Sequence, residues 1–241
     1  MVESVVLVHA LRTSSTMWRG QRELLERRGV EVITPDLPGH GSRLGERFTV
    51  DAAVQTIEAA VADAASPPLL VGFSLGGYLS VHYAGLAERP IAGMLAAGCG
   101  TQPTRVVLDG WRALAAIIHR LPDRGLALHT GALRRFVHDD TLVADVNGGG
   151  VALDVMDDVL RELRVLDMVG SLRRVQQPVW LVNGQYDHFR LQERRYLRAA
   201  PNATLVHIPR ATHLVSLTHA DAFNVVLLDA LAEVAPGPSL R

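Results

Sequence analysis

The sequence predicts an α/β protein: a mostly parallel sheet of about six strands, helices on both of its faces, and a helical insertion late in the chain. Three observations predict it. Short apolar runs at residues 5–8, 30–34, 69–73, 91–97, 179–183 and 204–208 are near-continuous rather than alternating, as expected of parallel strands buried on both faces. Segments of helical periodicity separate most of them, at 17–28, 50–65, 76–88, 191–200 and 219–233, and such alternation gives right-handed crossovers. From 101 to 177 the rhythm breaks, with no strand pattern and helical patterns near 106–121, 126–137 and 152–169.

Each element has a local reason. Met1 leads almost directly into the first apolar run, too short a segment for a signal peptide. No stretch approaches eighteen apolar residues, so no membrane span and a cytoplasmic location are expected. In the second helix Val54, Ile57 and Val61 recur at helical spacing, and Thr49 with Asp51 supplies a start signal. The block from 101 to 177 is too long for a loop and is punctuated by Pro103, Pro122, Asn147-Gly148-Gly149-Gly150 and Pro178. It is expected to be a helical cap, leaving 1–100 and 178–241 as the core. The Pro/Gly tail from Pro236 is expected to fray.

Composition narrows the function. Hydrophobic residues make up 48% of the 241, enough for a full core. The formal net charge is −1 and no basic face is concentrated enough for a nucleic acid. All 24 positive side chains are Arg, so a lysine Schiff base is excluded. Cys99 stands alone, which leaves no intrachain disulfide and no Cys-rich metal site. The ten histidines show no H-E-x-x-H spacing, and no G-x-G-x-x-G follows the first strand. Neither a metal nor a cofactor is therefore expected; a small-molecule substrate is.

The third strand runs into Gly72-Phe73-Ser74-Leu75-Gly76-Gly77 and then a helix, which is G-x-S-x-G in its meaningful context. A nucleophile on a tight, strained turn needs neighbours without bulk at −2 and +2, and Gly72 and Gly76 supply them. Gly77 lets the helix approach the sheet. The helix start aimed at Ser74 favours negative charge there. A serine hydroxyl still needs a base, and the base a carboxylate to fix its tautomer. Two loops just beyond strand ends offer polar residues: Gly184-Gln185-Tyr186-Asp187-His188, and Thr212-His213-Leu214. His207 competes with His213 but lies within a strand, and His219 falls at the start of the last helix.

These motifs resemble the α/β-hydrolase family, of the capped serine-nucleophile type, over essentially the whole chain. The likeness rests on Gly72-Phe73-Ser74-Leu75-Gly76-Gly77, on Gly184-Gln185-Tyr186-Asp187, on Thr212-His213 followed by Ala222-Phe223, and on Pro35-Asp36-Leu37-Pro38-Gly39-His40-Gly41. It implies Ser74 as nucleophile, Asp187 as acid and His213 as base. Some relatives place the acid after the fourth strand, where Gly98-Cys99-Gly100-Thr101-Gln102 holds no carboxylate. The resemblance also implies two backbone N–H groups for a tetrahedral oxyanion, those of Leu75 and Leu11. The family usually has His-Gly in the second loop; here His9 is followed by Ala10, tolerable only if the Ala10 φ is negative. Arg12, next in that loop, is either a partner for a substrate carboxylate or a solvated rim residue.

Family members often carry two strands before the oxyanion loop. Here that strand starts within the first ten residues, so the resemblance implies a sheet lacking those two, ordered 2-1-3-4-5-6. Strand 2 would then be an exposed edge, and the chain a monomer or homodimer. The implied activity is that of a carboxylesterase-like hydrolase acting on a small to medium, uncharged and largely apolar ester or thioester. Two alternatives stay open: a carbon–carbon bond hydrolase or menaquinone-pathway-like lyase with the same three residues, and a small-molecule receptor. Trp111, Leu114, Ile117, Ile118 and Leu121 are spaced either to line an acyl pocket or to pack the cap as core.

Overall fold

A computed structural model describes residues 3–86 and 89–235. In chain order the elements are β1 (Ser4–Val8), α1 (Arg19–Glu26), β2 (Glu31–Ile33), α2 (Val50–Asp63), β3 (Leu69–Phe73), α3 (Leu75–Leu86) and β4 (Gly93–Ala97). Helices α4 (Arg105–His119), α5 (Leu126–Phe136), α6 (Asp140–Asn147), α7 (Met156–Glu162) and α8 (Met168–Arg174) follow. The chain then returns through β5 (Val179–Gly184), α9 (Glu193–Ala199), β6 (Ala203–Ile208), α10 (Val215–Thr218) and α11 (Ala220–Val234). The tail from Pro236, and residues 87–88 of the helix expected over 76–88, lie outside the described residues.

The six strands form one parallel sheet in the order β2-β1-β3-β4-β5-β6. Alternate strand residues divide the core into two layers, because successive side chains leave a strand on opposite faces. Val6, Val8, Leu70, Met94 and Leu181 pack with α2, α3, α8 and α9. Val5, Leu7, Val71, Phe73, Leu95 and Val182 pack with α1 and α11 through Leu25, Phe223 and Leu227. Each such aliphatic side chain, fully removed from water, contributes roughly 1.5–3 kcal/mol. The inner strands are wholly buried, whereas β2 and β6, at the two edges, are mostly half-buried.

The second helix starts as its sequence implies, with Thr49 Oγ1 accepting the Ala52 N–H at 3.1 Å. Between β4 and β5 the chain is helical, with differences from the expected pattern. The segment expected as one helix over 152–169 is α7, a 3₁₀ turn at Leu163–Val165, and a separate α8. Asp167 caps α8 by accepting the Gly170 N–H at 2.9 Å, and this starts a new axis that packs on α3 and α9. Helix α6 has no counterpart in the expected pattern. Asp139 caps it, accepting from the Thr141 and Leu142 N–H groups at 2.8 and 3.3 Å. Among the described residues, no helix is long and apolar enough to cross a membrane.

Candidate active site

Ser74 sits in the single-residue link between β3 and α3 with φ 53, a left-handed conformation that costs a residue with a Cβ. The turn is held because it is pinned on both sides. The Ser74 N–H donates to the Ala97 carbonyl of β4 at 2.8 Å, and its own carbonyl accepts from Tyr78 of α3 at 3.0 Å. The flanking glycines make the turn possible. A Cβ on Gly76 would lie 2.2 Å from the Val8 carbonyl oxygen, and one on Gly72 would lie 2.3 Å from the Gly76 carbonyl oxygen. Strand β1, strand β3 and helix α3 therefore converge more closely than any side chain permits.

The three residues named from the sequence meet here. His213 Nε2 is 3.1 Å from Ser74 Oγ, and His213 Nδ1 is 3.1 Å from each carboxylate oxygen of Asp187. Asp187 follows β5 and its side chain is fully buried. Its Oδ1 also accepts the Phe189 N–H at 2.8 Å. Burial alone would raise this carboxyl, but the hydrogen bond and charge of His213, the Phe189 N–H and nearby His188 outweigh it, so the group lies below its ordinary value. An acceptor-only carboxylate on Nδ1 leaves the Nε2 lone pair directed at Ser74.

The imidazole is boxed by rings. Phe189, Phe73 and His188 have centroids 4.8, 5.2 and 5.2 Å from that of His213. Gly98 (φ 63) closes the remaining side, where a Cβ would meet His213 Cε1 at 3.0 Å. The two rival histidines are engaged elsewhere. His207 Nε2 pairs with Glu193 at 3.0 Å, and His219 Nδ1 lies 3.0 Å from the Thr218 hydroxyl.

The loop after β1 supplies the opposite wall. The Ala10 carbonyl accepts from His9 Nδ1 at 2.8 Å, Thr13 Oγ1 at 2.8 Å and the Thr13 N–H at 3.3 Å. His9 Nε2 accepts the Leu37 N–H at 3.0 Å, so the ring bridges two loops and must be neutral. Burial, with His40 5.0 Å away, lowers its pKa to about 3, and burial lowers that of His40 to about 4. Ala10 does not have a positive φ; the left-handed residue of this loop is Arg12, at φ 66. Leu11 and Leu75 both line the cavity above Ser74, and Leu75 begins α3, where a backbone N–H has no carbonyl one turn earlier.

That cavity has a volume of about 540 Å³, within the range that takes a small molecule. Its roof includes Val107, Leu108 and Trp111 of α4, Leu133 and Phe136 of α5, and Val159 of α7. Here the expectation for α4 needs correction. Of the five residues singled out, Trp111 alone lines the cavity, while Leu114, Ile117 and Leu121 are exposed at 45%, 63% and 44%. They are neither pocket nor core. Ile118 is half-buried, and the inward face of α4 runs through Val107, Leu108, Trp111 and Ala115. The sequence marks neither Phe189 nor Gly98 as a neighbour of the base; Gly98 figures there only in the stretch after the fourth strand that holds no carboxylate. Among the described residues, no cluster of three or more His, Cys, Asp or Glu could hold a metal ion.

A nucleophile-ready hydroxyl, an oriented imidazole and a buried carboxylate, drawn from three separate loops at one sheet end, can carry acyl transfer. The family model for the alpha/beta hydrolase family matches residues 5–226. The chain belongs to the alpha/beta hydrolase family. It is 29% identical, over 93% of its own length, to the dihydrolipoyllysine-residue acetyltransferase component of an acetoin cleaving system from Pseudomonas putida, of which it spans 62%. Among solved structures it is similar to the enol-lactonase of Burkholderia xenovorans LB400, with a TM-score of 0.77 and 20% identity over 96% of this chain and 92% of that one. A thermophilic esterase from Thermogutta terrifontis gives a TM-score of 0.78 and 20% identity over 97% and 91%. At these identities the two structures establish the shared fold.

Proposed function

We propose that this α/β-hydrolase is a serine esterase, cleaving a small to medium, largely apolar carboxylic ester or thioester through an acyl-enzyme. Ser74 Oγ attacks the carbonyl carbon as His213 Nε2 takes its proton. The tetrahedral oxyanion is held by the N–H groups of Leu75 and Leu11. The intermediate collapses, the ester C–O or thioester C–S bond breaks, and His213 returns the proton to the leaving alcohol or thiol. Water, deprotonated by the same imidazole, then attacks the acyl carbon and releases the acid and Ser74. Asp187 stays ionised throughout, holding the tautomer and stabilising the imidazolium. Residues 101–177 serve in this reading as the cap that supplies the acyl-binding surface.

One observation carries the reading: the unbroken chain from Ser74 Oγ through His213 to buried Asp187, each link at 3.1 Å, at the floor of an apolar cavity. The elbow that holds Ser74 in a disfavoured conformation supports it, since strain of this kind persists where function requires it. Labelling folded protein with a fluorophosphonate, followed by peptide mass mapping, tests it. The expected result is a single adduct on Ser74; an unmodified Ser74 sinks the proposal.

A further inference from the structure

The cavity above Ser74 is lined mostly by apolar side chains, with a few uncharged polar groups such as Thr13, Gln102 and Thr212, and by one permanent cation. Arg12 faces it from the loop that also carries Leu11. The other titratable groups of the lining are Tyr78, His129, Tyr186, His188 and His213, and no Asp or Glu is among them. Arg12 Nε is buried with no hydrogen-bond partner, and no ion pair engages the guanidinium among the described residues. This sets it apart from Arg19, Arg112, Arg124 and Arg164, which reach carboxylates around the helices between β4 and β5. Burial lowers the proton affinity of Arg12, yet a guanidinium remains charged at any ordinary pH. A half-buried charge whose Nε–H is shut from water without a partner is costly, and such costs persist where a ligand supplies the missing acceptor.

The chemistry of that partner can be narrowed. The orphaned Nε–H and the neighbouring Nη–H form a side-on fork whose spacing matches the two oxygens of a carboxylate. One fixed positive charge balances one carboxylate, whereas a phosphate dianion would keep an uncompensated charge against apolar walls. His129, the ring on the same side, offers no second cation. Burial lowers its pKa, its hydrogen bond to Asn147 at 3.3 Å opposes that, and the Arg12 charge lowers it further. We propose that Arg12 is a specificity-determining residue that binds a substrate carboxylate, so that the preferred substrates are largely apolar esters or thioesters bearing one carboxylate besides the scissile group. This rests on the esterase reading above and replaces the uncharged substrate expected from the sequence.

Matched ester pairs test it, namely p-nitrophenyl hemiglutarate against p-nitrophenyl valerate, and 3-acetoxybenzoate against phenyl acetate. For at least one pair, wild-type kcat/KM should favour the carboxylate-bearing member by about 10- to 100-fold, the value of a charge-assisted pair. Arg12→Met should reduce that ratio by at least tenfold, and Arg12→Lys should retain part of it, having the charge without the fork. A purely structural role for Arg12 would lower both members together and leave the ratio unchanged, which overturns the proposal. So does a wild-type preference for a phosphate-bearing thioester over its carboxylate counterpart. Glutarate binding to Ser74→Ala by calorimetry, and its loss in Ser74→Ala/Arg12→Met, reads the subsite without turnover. Ester hydrolysis with no carboxylate preference and no glutarate binding refutes this inference and leaves the esterase reading standing; glutarate binding without a Ser74 adduct does the reverse.

Discussion

The loops at the C-terminal ends of the strands and the helices α4 to α7 enclose the same cavity but are built in opposite ways. At the sheet end, each position is fixed by backbone atoms. Ser74 is tied to β4 and α3, Gly76 abuts β1, and the Ala10 carbonyl takes three donors. In the helical layer, ion pairs between half-exposed side chains recur, as in Arg112–Asp157 and Arg124–Asp154, both at 2.8 Å. Such pairs are worth about 0–1 kcal/mol each. Val106, Ile117 and Leu128 remain more than half exposed. The difference teaches a division of labour. Groups that must meet within tenths of an ångström sit where the backbone has no alternative, and the helical layer over them is held by side-chain contacts that can vary without loss of the fold.

The largest expected effects break the rigid side. Ser74→Ala and His213→Ala should each lower kcat for any ester that the wild type turns over by about 10⁴- to 10⁶-fold. Asp187→Asn should lower it by about 10⁴-fold, because an amide can donate to Nδ1 and select the wrong tautomer. Steady-state hydrolysis with circular dichroism as a folding control measures all three. Losses below about tenfold would mean that the 3.1 Å contacts are structural.

The next effect is steric. Gly76→Ala would push a methyl group to 2.2 Å from the Val8 oxygen and 2.7 Å from the His9 oxygen. Neither is the end of a flexible side chain, so β1 and α3 must part, at a cost of about 3 kcal/mol. Urea titration should show the fall in midpoint, and an unchanged midpoint would show that the elbow is looser than its contacts.

The same contrast explains what was legible in the sequence. The inner strands and the elbow at Ser74 can be read because steric rules leave few residue types at each position, apolar runs in the one and glycines at the other; the strand order and the roles of Asp187 and His213 rest on the resemblance to the family. Helix α6 and the break before α8 were missed because each depends on one aspartate cap, Asp139 and Asp167, in stretches with no strong periodicity. The expectation for α4 and the turn after it holds at Trp111, which faces the cavity with Val107 and Leu108, and fails at Leu114, Ile117 and Leu121, which are exposed; no hydrophobic count separates these when both faces are apolar. Phe189 and Gly98 were illegible for another reason: their role is contact with His213, 24 and 115 residues away in the chain.

Acid should separate the regions through two buried histidines. His9 ties the loop under Leu11 to Leu37 and His40 lies against its ring, with pKa values lowered to about 3 and about 4, whereas an unfolded chain protonates both near 6.5. Between those limits the unfolded state binds the extra protons, so stability falls as pH falls from about 6.5 toward 4. At pH 5 the loss is about 2 kcal/mol per ring. Denaturant midpoints measured from pH 7 to pH 5 should decline accordingly, and His40→Gln should flatten the curve. A pH-independent midpoint would remove the two histidines from the support of the loop.

The smallest effect has the opposite sign and tests the helical layer directly. Gly110 lies within α4, is exposed, and a Cβ there would meet nothing within 4 Å. Alanine loses less backbone entropy than glycine on entering a helix, so Gly110→Ala should stabilise by roughly 0.5–1 kcal/mol. It differs from Gly76→Ala only in surroundings, since the chemical change is identical. If α4 folds with the sheet as one cooperative unit, the gain should appear in the global unfolding midpoint. If the layer opens on its own, the gain should appear instead as slower amide exchange confined to α4 and its neighbour α7, with the global midpoint unmoved. Either result fixes how far the helical layer over the cavity moves independently of the loops at its floor, and destabilisation by Gly110→Ala would mean that α4 packs against a surface this structure leaves open.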